Sequence, residues 1–180
     1  MEKRSFTYLL IVVGFLLLSV LPAQAGEREV AEYEVKAAFL YNFARFTEWP
    51  AGSFADDQAP LTLCVLGDNP FGKASNPIQS KTVKNRPVAF REVLVADEAG
   101  GCHVLFISAS EQPHVDAILQ TLGKRSVLTV SDMKRFTLSG GMISFVMVDD
   151  KIRFEINNGA AKRAGLKISS QILKLASTVY

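Results

Sequence analysis

The sequence predicts an α/β domain: a central, mostly parallel sheet flanked by helices, with an antiparallel C-terminal hairpin at one edge. Three observations carry this reading. Leu61–Leu66 and Cys102–Ile107 are short continuous apolar runs, the pattern of strands buried on both faces. Val115, Ile118, Leu119 and Leu122 follow at helical spacing, so strands alternate with helices, as they do around parallel sheets. Met142–Val148 and Lys151–Ile156 flank Asp149-Asp150, and the second run alternates apolar with charged residues, which marks a hairpin.

The N-terminus reads as a secretory signal peptide over residues 1–25. Lys3 and Arg4 precede an apolar run from Tyr8 to Leu21, and Pro22 leads into the small-x-small site Ala23-Gln24-Ala25. The run is short of the roughly 20 residues that span a bilayer. Cleavage after Ala25 would leave residues 26–180 as a single exported domain. With a formal net charge of +2, the chain has no basic field for nucleic acid. Its two cysteines, Cys64 and Cys102, read as one disulfide in an oxidising compartment, with two buried thiols as the alternative.

Glu27 to Thr47 reads as a long helix. Glu27, Glu29, Glu32 and Glu34 suit the positive end of its dipole, and Trp49-Pro50 stops it. Its apolar residues form two stripes: Val35, Phe39, Phe43 and Phe46, and beside them Ala37, Leu40, Tyr41 and Ala44. A surface helix needs one stripe. The second is buried as well, or is offered to a partner.

Ala51 to Pro60 is a polar loop. After the Leu61–Leu66 strand comes Gly67-Asp68-Asn69-Pro70, then one or two helical turns within Phe71 to Ser80, then a strand over Val88 to Val95. The Cys102–Ile107 strand leads to a helix from Glu111 to Leu122, capped by Gly123. Val127–Val130 is a further strand. Ser139-Gly140-Gly141 precedes the hairpin, and Ala160 to Gly165 is a short helical turn. Lys167 to Val179 is expected as a final helix, with Ile168, Ile172, Leu175 or Ala176, and Val179 facing the core.

Little here supports catalysis. His103 lies inside an apolar run, the place of a packed histidine, and His114 follows Pro113 at a helix start. Two histidines without clustered carboxylates make no zinc site. Cys64 with His103 could pair nucleophile and base, but the disulfide is the stronger reading in an exported chain. Asp149-Asp150 fits a turn. No catalytic, cofactor-binding or metal-binding residue is therefore assigned, and an enzyme is not expected. Gly67 to Asn69, Ser108 and Ser131-Asp132 would share the carboxyl ends of the parallel strands, where open α/β sheets bind ligands. Helix caps and turns are the simpler account.

The aromatic-rich segment Val35-Lys-Ala-Ala-Phe-Leu-Tyr-Asn-Phe-Ala-Arg-Phe-Thr-Glu-Trp-Pro50 resembles the signature of the YfiR family. So do Leu61-Thr-Leu-Cys-Val-Leu-Gly67, Gly140-Gly-Met-Ile-Ser-Phe145, Ile152-Arg-Phe-Glu-Ile-Asn157 and Ala160 to Ala176. The resemblance implies an α/β periplasmic regulator with a disulfide at Cys64 and Cys102. It implies binding to the periplasmic domain of an inner-membrane diguanylate cyclase, which lowers cyclic-di-GMP and biofilm formation. An OmpA-like outer-membrane lipoprotein can draw such a regulator away, and members can form homodimers. Members with further cysteines carry a redox input, whereas this chain has one pair. Expected partner-binding residues are Phe39, Tyr41 and Phe43 on the first helix, with Arg153, Glu155, Arg163, Lys167 and Gln171. The alternative is a periplasmic small-ligand-binding sensor domain.

Overall fold

The structure is a computed structural model that describes residues 21–180; most of the expected signal peptide, residues 1–20, lies outside the described residues. The chain divides into two compact units, Met1–Glu32 and Tyr33–Tyr180. Apart from the first turns of the opening helix, the fold described below belongs to the second.

Helix α1 runs over Leu21–Arg45, so it starts before Glu27 and stops short of Thr47. Lys36, Ala37, Leu40, Phe43 and Ala44 are buried. They stand three and four residues apart and make one face, drawn from both expected stripes. Phe39 and Tyr41 flank that face, half-buried, while Val35 is exposed. Straight after the helix, Thr47–Glu48 (β1) pairs antiparallel with Lys167–Ile168 (β9).

The main sheet contains Leu61–Leu66 (β2), Thr82–Val83 (β3), Arg86–Val93 (β4), Val104–Ile107 (β5), Leu128–Ser131 (β6), Ile143–Val148 (β7), Lys151–Ile156 (β8) and Thr178–Val179 (β10). Its order is β10-β8-β7-β6-β5-β2-β4-β3. The pairings β4-β2-β5-β6-β7 are all parallel, and β8 returns antiparallel to β7. The α/β expectation holds, with the hairpin one place in from the edge. There β10 lies parallel to β8, Thr178 opposite Glu155 and Val179 opposite Ile156. The central strands lack alternation because both faces are covered. On one face, Leu63, Phe106, Val130, Ile143 and Phe154 join Leu40 and Phe43 of α1. On the other, Leu66, Leu105 and Ile107 join Ile118, Leu122 and Phe136. Between β2 and β3, a 3-10 turn covers Gly72–Ser75 and a single α-helical turn covers Asn76–Gln79 (α2).

The final helix is a correction. Lys167 to Val179 divides into β9, a single turn at Ser170–Leu173 (α5) and β10. Ser169 is extended; its amide donates to the Phe46 carbonyl at 2.9 Å, and its hydroxyl accepts from Gln171 N. The pull of the β1 edge outweighs helical propensity there. Ile168 and Ile172 are buried as expected and Ala176, rather than Leu175, packs half-buried against the core, while Leu175 and Val179 are exposed. Pro113, which lacks an N–H, likewise shortens the middle helix. A 3-10 segment covers Ala109–His114, and the α-helix proper (α3) is Val115–Leu122. The Ala160–Gly165 turn appears as Asn158–Arg163 (α4), capped by the Asn157 side chain accepting from Ala160 N at 2.8 Å.

Cys64 and Cys102 form a disulfide, Cα to Cα 5.8 Å. It joins β2 to the approach of β5, its sheet neighbour. Ahead of β7, Gly141 is required sterically, since a Cβ there would lie 2.2 Å from the Phe136 ring.

Candidate interaction surface

The residues with the most chemical promise are engaged with the fold. His103 Nδ1 accepts from Thr62 N at 3.1 Å, so the ring proton sits on Nε2, which donates to the Ser53 carbonyl at 3.0 Å. The ring stacks on Phe54 at 4.1 Å and meets Trp49 edge-on at 5.9 Å. Burial lowers its pKa from the usual 6.5; the Ser53 hydrogen bond opposes that shift, and the Arg86 cation adds to it. Both ring nitrogens are occupied, so this is a packed histidine. Beside it the Trp49 Nε1–H is buried with no acceptor among the described residues.

The carboxyl ends of the strands are also filled from within. Asp68 N donates to Ser110 Oγ at 3.0 Å, and a Cβ on Gly67 would fall 2.5 Å from that oxygen. The Ser108 hydroxyl caps the 3-10 segment by accepting from Ser110 N. Ser131 Oγ donates to the Ile107 carbonyl at 2.7 Å and accepts from Met133 N at 3.1 Å. Asp132 Oδ2 accepts from Lys36 Nζ at 2.6 Å and Tyr33 OH at 2.9 Å. Caps, turns and the Lys36–Asp132 ion pair account for these residues. Among the described residues, no group of three His, Cys, Asp or Glu side chains is placed to hold a metal.

The expected contact residues do not form one surface. Phe43 has no exposed area, because it packs edge-on against Phe154 at 5.0 Å and tilted against Phe145 at 5.7 Å. That corrects its expected direct contact with a partner. Phe39 sits over the same two rings, at 5.5 Å from Phe154 and 6.0 Å from Phe145, with its other side accessible. Tyr41 lies on the opposite flank of α1, its hydroxyl donating to the Thr82 carbonyl at 3.0 Å and its ring 4.9 Å from Lys81 Nζ. Strand alternation turns Arg153 and Glu155 away from α1. Glu155 accepts from Thr137 Oγ1 at 3.3 Å, whereas Arg153 is exposed. Lys167 pairs with Glu48 at 3.2 Å across the small sheet. Arg163 is exposed on α4 and Gln171 on α5.

One open apolar surface centres on Phe39. A shallow groove of about 290 Å³ runs along the outer face of α1, lined by Glu34, Val35, Ala38, Phe39 and Asn42. Phe39 covers the Phe145–Phe154 rung of the hairpin. The next rung out on that sheet face is Met147 opposite Ile152. Met147 is 54% exposed and Val35 45%, while Ile152 is half-buried. The helix and the hairpin thus each carry apolar side chains past the end of the core. Met147 and Ile152 were absent from the expected contact set. Their signal was available: the hairpin stays apolar on its inward register to its tip, beyond what one helix can cover.

The fold is an α/β domain that carries an open apolar ledge. The chain belongs to the YfiR/HmsC-like family, whose profile matches residues 33–177. That family consists of periplasmic regulators of cyclic-di-GMP signalling rather than enzymes. Distant likenesses exist among solved structures. An ABC domain in complex with L-Trp from Streptococcus pneumoniae is 13% identical, with a TM-score of 0.49 over 67% of this chain and 55% of that one. A conserved domain protein from Vibrio cholerae O1 biovar El Tor is 10% identical, with a TM-score of 0.46 over 66% of this chain and 54% of that one. The chain spans just over half the length of each.

Proposed function

We propose that this chain binds the periplasmic domain of an inner-membrane diguanylate cyclase and holds the enzyme inactive, lowering cyclic-di-GMP and biofilm formation. The observation that carries the reading is the uncovered apolar ledge of Val35, Phe39, Met147 and Ile152 on a member of a regulatory family. Exposed aromatic and Met side chains over a rigid base are the anchors that protein interfaces use. Phe39 is held from below by two rings, so little conformational entropy is lost when a partner covers it. The reading includes an OmpA-like outer-membrane lipoprotein that draws the regulator away, and a homodimer.

Deleting the gene while measuring cyclic-di-GMP tests this. A rise in cyclic-di-GMP, reversed by the wild-type chain, is the expected result. An unchanged level, with no membrane protein co-purifying with the tagged chain, would overturn it.

A further inference from the structure

A second cleft, of about 210 Å³, lies where the end of α3, strand β6, the Gly140 turn and α4 meet. It is distinct from the α1 groove and lies away from the carboxyl ends of the strands. Its apolar lining includes Leu122, Val127 and Met142, all buried. Its charged lining residues are all cationic, with no carboxylate among them. They are Lys124, Arg125 and Arg163, all exposed; Arg125 is paired with Asp97 at 3.5 Å, and Lys124 and Arg163 supply the positive charge used below. A small cleft with one sign of charge and low-dielectric walls focuses potential and concentrates the opposite charge.

Thr129 adds a third element. Its side chain is 2% exposed and lines the cleft. Thr129 Oγ1 accepts from Met142 N at 3.0 Å. A hydroxyl has one proton to give as well as lone pairs, and no hydrogen bond among the described residues uses that proton. A buried donor without an acceptor costs free energy that a bound oxygen would recover.

We propose that this cleft binds a small organic carboxylate carrying an oxygen acceptor on a short apolar body. The carboxylate lies between Lys124 and Arg163, a guanidinium being well suited to a carboxylate's two oxygens. The hydrocarbon lies on Leu122, Val127 and Met142, and a carbonyl or hydroxyl oxygen takes the Thr129 proton. The size of the cleft, below the usual range for drug-sized ligands, limits the ligand to a handful of heavy atoms. The site stands independently of the cyclase reading, since no residue of the α1 ledge lines it.

The test is titration of the signal-less protein, followed by amide NMR shifts and calorimetry. The probes are levulinate, pentanoate, pentanol and inorganic phosphate. Levulinate should saturate with a Kd on the order of 1 mM, shifting resonances of Leu122, Val127 and Met142. Pentanoate should bind several-fold more weakly, and pentanol and phosphate should not saturate. The pair K124Q with R163Q should weaken levulinate about tenfold or more. T129V should bring levulinate level with pentanoate, and T129S should keep the difference. Should T129V not fold, T129S and the two cation variants still decide the matter. No saturation by levulinate, equal binding by pentanol, or undiminished binding in K124Q/R163Q would each overturn the proposal.

Discussion

Lys36 Nζ stands 2.6 Å from Asp132 Oδ2, with the two side chains 5% and 13% exposed. The pair ties α1 to the turn that follows β6. Tyr33 adds its hydroxyl at 2.9 Å, and Lys36 Nζ also lies 4.3 Å from the Tyr33 ring centre. The other carboxylate oxygen, Oδ1, is buried and accepts no hydrogen bond among the described residues. An ion pair taken out of water is costly to break from one side only, because the surviving charge keeps its desolvation penalty. Lys36→Met alone should therefore destabilise by about 3 kcal/mol or more. Adding Asp132→Leu should recover a large part of that loss. Urea midpoints of the single and double variants give the comparison, and a double variant weaker than both singles would contradict it.

Phe43 and Met147 separate folding from binding. Phe43→Ala removes a fully buried ring and should cost about 3–5 kcal/mol of stability. Met147→Glu places a charge on an exposed rung of the ledge and should change stability by only about 0.5 kcal/mol. Under the proposed function, that same change should weaken the cyclase domain's binding about tenfold or more. Thermal unfolding and calorimetry on the two variants check both halves. Normal binding by Met147→Glu would move the interface elsewhere.

The disulfide closes a loop between residues 38 apart in sequence. Chain entropy puts its contribution near 4 kcal/mol. Strands β2 and β5 are already hydrogen-bonded neighbours, so the reduced chain can keep the same fold. Cys64→Ala with Cys102→Ala should lower the unfolding free energy from urea titration by about that amount, with an unchanged far-ultraviolet spectrum.

His103 makes stability depend on pH. Its folded pKa lies below the unfolded value of 6.5, so between the two the unfolded chain binds more protons. The neutral ring's contribution is complete above pH 6.5 and is lost as pH falls through that value toward the folded pKa. Melting temperature should fall from pH 8 to pH 5. His103→Asn, which keeps an acceptor near the Thr62 amide, should flatten that slope. An unaltered slope in the variant would assign the acid loss to other groups.

Much of the sheet was legible because its strands declare themselves locally. Leu61–Leu66 and Lys151–Ile156 emerge as strands with the very bounds that their apolar runs imply. The C-terminal helix was misjudged because Ile168, Ile172 and Val179 follow helical spacing while their surroundings are tertiary. The edge of β1 captures Ser169, and β8 captures Val179 through Tyr180 N donating to the Ile156 carbonyl at 2.8 Å. Periodicity along one segment carries no trace of a strand more than a hundred residues away. The buried face of α1 was hidden for a related reason. Lys36 interrupts the apolar pattern, and its burial becomes intelligible only beside Asp132. The surface ledge was half visible: Phe39 belongs to an obvious aromatic helix, whereas Met147 acquires meaning only from its pairing with Ile152.

The edge contact between Trp49 and His103 has an optical consequence. The chain contains one tryptophan, and its indole lies 5.9 Å from the imidazole. An imidazolium quenches indole emission far more than a neutral ring does. Acidification will therefore dim the protein's intrinsic fluorescence as His103 takes up its proton, and the native chain carries its own label-free gauge of that one site.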